Sequence, residues 1–172
     1  MGDILKSILG RRLGLDKDDN LVVKGSVITG GSSTPLAAGS TRTLTADDSG
    51  KLIALDTLAG STVTLPAAVG SGAKYRFYVS VLATSNSHIV KVANSSDTMI
   101  GGVVIADTDT AGAASSFFAA STSDTITLNR STTGSVSLGE YIEVEDIAST
   151  KWLVSAVISG TGTVATPFSA TV

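Results

Sequence analysis

Apolar and polar positions alternate along most of this chain, and the period is two. In residues 74–82, Tyr75, Phe77, Val79 and Val81 fall on one side, and Arg76, Tyr78 and Ser80 on the other. Side chains of an extended strand alternate in this way, so the segment predicts a central strand. In residues 140–146, Ile142 and Val144 point one way and Glu143 and Glu145 the other. Trp152, Val154, Ala156 and Ile158 form one face of residues 151–158. Shorter apolar runs at 51–55, 62–65, 88–92, 98–105, 115–119 and 125–129 predict further strands. Turn residues separate them, among them Asp47-Asp48-Ser49-Gly50, Ala59-Gly60-Ser61 and Ser85-Asn86-Ser87. Gly50 and Gly60 can take a positive φ without a steric cost, and Pro66 should stop the strand before it. Residues 44–66 therefore read as a β-hairpin or meander corner. The fold expected is all-β: a sandwich or small barrel of short antiparallel strands.

The first residues follow another rule. Ile4, Leu5, Ile8, Leu9 and Leu13 lie close to one helical face, with Asp3 as an N-cap and Gly10 as a stop. A helix this short is marginal alone in water and needs a surface to lie against. That surface is either its own domain or a partner; shortness and mixed charge weigh against a membrane. Leu21-Val22-Val23-Lys24 and Ser26-Val27-Ile28-Thr29 are short strand candidates. The Gly/Ser-rich stretch that follows reads as a linker or surface loop. The expected organisation is an anchoring arm at 1–29, helical or extended, a linker or loop at 30–40 and a β domain at 41–172.

Composition narrows the class. At 172 residues the chain is long enough for a proper core. It has no cysteine, so neither a disulfide framework nor a thiol nucleophile is available. Charged residues make up only 16%, and Ser, Thr, Gly and Ala take their place. Residues 1–24 hold five basic and four acidic side chains, and the rest holds seven and eleven. A weakly acidic body argues against nucleic acid as a partner. Mean hydropathy is positive, yet the most apolar stretch, residues 99–106, is far shorter than the ~20 residues a span needs. Asp3 near the start and Arg11-Arg12 after the apolar stretch do not fit a secretory signal.

Candidate chemistry fails pattern by pattern. Asp16-Lys17-Asp18-Asp19-Asn20 begins like a calcium loop, but Leu21 and Val27 stand where Gly and Glu are needed. Asp107 and Asp109 are spaced D-x-D, with Phe118 in the twelfth position. His88 is the only histidine and reads as a core or surface residue. Gly160-Thr161-Gly162-Thr163-Val164-Ala165 matches a dinucleotide fingerprint, but Pro167 and the sequence after it leave no helix or acidic residue to complete it. Arg76 with Tyr75 and Tyr78 resembles a stacking cluster, but the alternation splits it across two faces. The reading is a protein that is not an enzyme and takes no metal or cofactor.

Three stretches carry a family resemblance. Residues 44–67 hold Leu-Thr-x-x-Asp-Ser-Gly-Lys-x-Ile-x-Leu-Asp and then Gly-Ser-x-Val-Thr-Leu-Pro-Ala, and a Tyr-x-Phe-x-Val strand follows at 75–79. Asp97-Thr98-Met99-Ile100-Gly101-Gly102 resembles an Asp-x-Ile-x-Gly step, with one residue more between Asp97 and Ile100. Over residues 44–104 the chain resembles small virion structural proteins of tailed bacteriophages, including capsid decoration (cement) proteins and modules of fibres and spikes. The resemblance implies a β module, a homotrimer, and a place on the virion. With the N-terminal arm it implies a decoration protein on the capsid surface whose partner is the major capsid protein. Ile4, Leu5, Ile8, Leu9, Arg11, Arg12 and Leu13 would then hold the capsid. The alternative is a trimeric fibre or spike module that binds host surface glycan.

Overall fold

The computed structural model describes residues 34–172 in full and, before them, the backbone of three short strands. The chain divides into two compact units, Met1–Thr34 and Pro35–Val172. In the first unit β1 (Leu13–Leu15), β2 (Leu21–Val23) and β3 (Ser26–Ile28) form an antiparallel sheet in the order β1-β2-β3. The strand candidates at 21–24 and 26–29 are thus strands. Of the stretch read as helical, Leu13–Leu15 is extended, and residues 3–12 lie outside the described residues.

The second unit is an all-β sandwich of two mixed sheets. Its first six strands alternate between them. Strands β4 (Leu36–Ala37), β6 (Leu52–Leu55) and β8 (Lys74–Val79) lie parallel in one sheet. Strands β5 (Thr41–Thr43), β7 (Thr62–Thr64) and β9 (His88–Lys91) lie parallel in the other. Parallel neighbours need a crossover connection, and here each crossover is itself a strand of the opposite sheet. Leu36 and Ala37, in the stretch read as linker, already belong to this winding.

The rest of the chain completes both sheets. Strand β10 (Thr98–Asp107) runs parallel to β14 (Lys151–Gly160), with β11 (Ala114–Phe118) antiparallel on its other side. Strand β13 (Tyr141–Ala148) sits antiparallel between β14 and β8. The larger sheet therefore runs β11-β10-β14-β13-β8-β6-β4. Strands β12 (Thr125–Leu128) and β15 (Phe168–Ser169) extend the smaller one to β15-β12-β9-β7-β5.

This order corrects two expectations. Strand pairing is mixed, not antiparallel throughout. The 44–66 corner is not a hairpin, since β6 and β7 lie in different sheets and do not pair with each other. Local turn chemistry marks where a strand ends but not which sheet the next one joins. The turn residues themselves behave as expected: Gly50 and Gly60 take φ of 83° and 96°.

Inward-facing side chains of both sheets make one core. Ile53, Leu55, Tyr75, Phe77, Val79, Ile142, Val144, Trp152 and Val154 come from the larger sheet, and Val63, Val90, Ile126 and Leu128 from the smaller. Each alternation read from the sequence in β8, β13 and β14 holds, and β8 lies inside its sheet with neighbours on both sides. The Tyr75 and Trp152 rings meet at 5.8 Å, tilted by 54°, and the Tyr75 hydroxyl donates to the Thr45 carbonyl at 2.9 Å. Full burial of such side chains supplies roughly 1.5–3 kcal/mol each before entropy is counted.

Buried polar groups tie the corners. The Asp146 carboxylate accepts from the backbone N–H groups of Val69, Gly70 and Ser71 and from the Ser71 hydroxyl, at 2.6–3.1 Å. Glu140 does the same for the N–H groups of Ser135, Val136 and Ser137 and for the Ser159 hydroxyl. Asp97 takes the Ala68 N–H, and Asp124 those of Thr171 and Val172. Burial pushes the Asp146 carboxyl up, but the hydrogen bonds from Ser71, Gly70 and Val69 outweigh it and hold it below the usual aspartate range. Asp146→Asn puts an amide NH2 against donors. It should lower stability by about 2–4 kcal/mol in denaturant unfolding.

The sole histidine is the core kind. His88 is fully buried; its Nδ1 accepts from the Ser61 N–H at 3.0 Å, and Nε2 lies 2.8 Å from the Val81 carbonyl, to which it donates as the neutral ring. Gly60 in the same corner passes so close to the Ser87 carbonyl that a Cβ would collide with it. Burial drives the His88 pKa down, against the opposing pull of the Val81 hydrogen bond and of Glu140 and Asp56. The unfolded chain protonates this ring near pH 6.5, where the folded chain still refuses the proton. This contribution to stability is therefore flat above about pH 6.5 and declines as pH falls below it. NMR titration of the single imidazole should give a pKa below the free value, and a raised one would refute this account.

Candidate interaction surface

The two outer faces of the sandwich differ. On the smaller sheet the outward positions are mostly polar: Thr41 and Thr43 on β5, Thr62 and Thr64 on β7, Lys91 with the half-buried Ile89 on β9, and Thr127 on β12. On the larger sheet the outward positions fall into two halves.

One half is charged. Strands β13 and β8 pair Glu143 with Arg76 and Glu145 with Lys74 in register, and both ion pairs close at 3.1 Å. The Arg76 guanidinium also lies 5.2 Å from the centre of the Tyr141 ring. Such exposed cross-strand pairs contribute about 0.2–1 kcal/mol. Their geometric effect is larger, because they fill the face with neutralised charge. Beside them is an open depression of ≈ 500 Å³ lined by Lys74, Arg76, Glu143, Glu145, Leu153 and Ser155.

The other half is apolar. Register places Ile100 beside Leu153, Val104 beside Val157, and Phe118 beside Gly102. All five of these large side chains are exposed: Ile100 38%, Val104 43%, Leu153 41%, Val157 42% and Phe118 76%. Between them lie only Gly102, Ser155 and Ser116. A contiguous apolar patch on a sheet face marks an interaction surface more often than scattered apolar residues do. Gly101 holds β10 against β14 here. Its φ is 110°, and a Cβ would strike the Val154 carbonyl.

Most residues singled out from the sequence have structural places. Arg76 and Tyr78 face outward while Tyr75 is buried, as the alternation implied. Both ring nitrogens of His88 are engaged in the core. Asp109 holds the Thr161 hydroxyl and the Gly162 N–H, and Asp107 accepts from the Asp109 N–H. Hydrogen bonds from Gly162 and Thr161 lower the Asp109 pKa. Among the described residues no group of three or more His, Asp or Glu is placed to hold a metal ion. Of the proposed arm contacts, Leu13 lies in β1; Ile4, Leu5, Ile8, Leu9, Arg11 and Arg12 lie outside the described residues.

The apolar half of the larger sheet was not picked out from the sequence, although a signal was present. Leu153 and Val157 are apolar on the face opposite Trp152 and Val154, and two adjacent phenylalanines in one strand cannot both face inward. No family model, curated protein or solved structure matches this chain.

If these outward residues serve contact and not folding, polar replacements should leave the fold intact. Leu153→Thr with Val157→Thr should change stability by less than about 1 kcal/mol. The inward Val154→Thr should cost more than about 1.5 kcal/mol, since it sets a hydroxyl in the core. Paired denaturant melts decide this. A large loss in the outward pair would mean that these residues hold the sandwich together.

Proposed function

We propose that this chain is a structural protein of a tailed-phage virion, and specifically a capsid decoration protein that binds the outer surface of the head through its N-terminal residues. The observation that carries the reading is the pairing of a short separate unit, Met1–Thr34, with a rigid β body, Pro35–Val172. A protein that reinforces a shell needs a gripping segment and a stiff module to display above it. The body supplies stiffness through a continuous core and buried carboxylate ties. The resemblance of residues 44–104 to virion proteins, read from the sequence, supports the same role, and Ile4, Leu5, Ile8 and Leu9 would supply the grip. Burial of such side chains on a shell yields roughly 1.5–3 kcal/mol each before ordering costs.

The test is co-sedimentation of the full chain with heads of the encoding phage that lack it. Expected binding saturates at hundreds of copies per head. A Leu5→Asp, Leu9→Asp variant should bind at least about tenfold more weakly, since charged residues replace two anchors. Failure of the full chain to bind heads would end this reading. A few dozen copies per virion, confined to the tail, would replace it with the fibre reading.

A further inference from the structure

The sandwich has four sheet edges, and three of them are short. Strands β4 and β15 have two residues each, and β5 has three, including Arg42. Brief or charged edges resist pairing with other chains. The fourth edge, β11, is different. It runs for five residues, Ala114–Phe118, at the end of the larger sheet. No charged residue or proline occurs from Thr110 to Ser123. The usual devices that blunt an edge are missing from it.

The bonding parity of β11 defines what this edge offers. Its flanks are bonded to β10: the Asp107 N–H donates to the Ala113 carbonyl, and the Ala119 N–H to the Gly101 carbonyl. In an antiparallel ladder, alternate residues direct both backbone groups to the same neighbour. Odd-numbered residues of β11 therefore face β10. Ala114, Ser116 and Phe118 direct their N–H and C=O groups away from it, and no other described strand neighbours that side. Three donors and three acceptors stand in a row at the rim.

We propose that β11 is a self-association edge, at which a second copy of this chain pairs antiparallel about a two-fold axis through Ser116. This register sets Ser116 opposite its own copy and Ala114 opposite the partner's Phe118. Every outward N–H then meets an outward C=O, and the two larger sheets become one continuous sheet. The side chains fit the same register. Phe118, 76% exposed in the single chain, gains the small Ala114 as its cross-strand neighbour, which leaves room for the ring. Phe118 also borders the apolar half of the outer face, so pairing joins the two patches into one surface. A second copy suits the edge better than a foreign strand because the edge is complementary to itself in sequence, bonding parity and lack of charge. Such an isologous contact closes at two copies. It differs from the trimer implied by resemblance, and it does not depend on the virion reading.

Sedimentation equilibrium on the purified full chain tests this without any capsid. The wild type should be a dimer at about 100 μM and dissociate on dilution toward about 1 μM. Ser116→Pro deletes an N–H that faces away from β10, so it should leave the thermal midpoint nearly unchanged and give a monomer throughout. Ser115→Pro deletes a bond to β10 and should lower the midpoint clearly. If Ser116→Pro does not fold, Ser116→Lys sets two cations together on the axis and should give the same monomer. A wild-type monomer at 100 μM would overturn the proposal, even with β11 amides protected from exchange by the chain's own N-terminal residues. So would a trimer, or any dimer that both Ser116 variants leave intact.

Discussion

A chain that passes repeatedly between two sheets must turn sharply at each crossing, and each turn removes backbone N–H groups from strand ladders. Unmet, such groups would cost about as much as the hydrophobic gain of a side chain. The sandwich meets them with buried acids. Asp146 reaches a loop 75–77 residues earlier in sequence, Asp97 one 29 residues earlier, and Asp124 the segment 47 and 48 residues later. His88 performs the same service as a neutral acceptor for Ser61, across 27 residues. These long-range ties fix which loop lies over which strand. Apolar alternation alone would tolerate several arrangements of the same strands.

This division explains what the sequence reveals and what it hides. Period-two alternation located β8, β13 and β14 and gave the correct inward faces, because burial on one side of a strand leaves its trace in adjacent residues. Pairing leaves no comparable trace. The residues of β6 and β7 look the same whether they form a hairpin or enter opposite sheets, and the choice depends on partners such as β8 and β9. The role of Asp146 was hidden as well. In sequence it is one more acid after Glu143 and Glu145, yet it faces inward at the end of β13, where the register slips between Asp146 and Ala148. The apolar half of the outer face was partly legible, since outward Leu153 and Val157 break the expected polar alternation. That the patch continues through β10 to Phe118 could be known only once β10 and β14 were seen to pair in parallel.

The residues behind the virion resemblance prove to be scaffold. Leu44, Ile53, Leu55, Val63 and Leu65 are core. Gly50 and Gly60 occupy positive-φ turns. Asp56 accepts the Gly39 N–H at 2.8 Å, and Asp97 ties the loop at Ala68. In this chain the pattern serves the winding between two sheets. It says less about what the finished module touches, because most of these side chains are buried or sit in turns, although Ile100 in the last resembling stretch does stand on the exposed apolar face. The outward side chains of the two sheets are what remains for contact with a partner.

Those residues are unevenly distributed, and the unevenness has a physical reading. The threonine-rich face of the smaller sheet and the ion-paired half of the larger one both keep water at low cost. The strip along β14, β10 and β11 does neither: it exposes five large apolar side chains and ends at the longest edge. A solvated monomer gains nothing from placing its barest backbone edge next to its most apolar face. Two copies joined at that edge would pair the idle backbone groups and enlarge the apolar face in one step, whereas burial of the face alone would leave the edge open. Edge and face thus serve one purpose, with pairing at the rim building the wider surface that a larger assembly could cover.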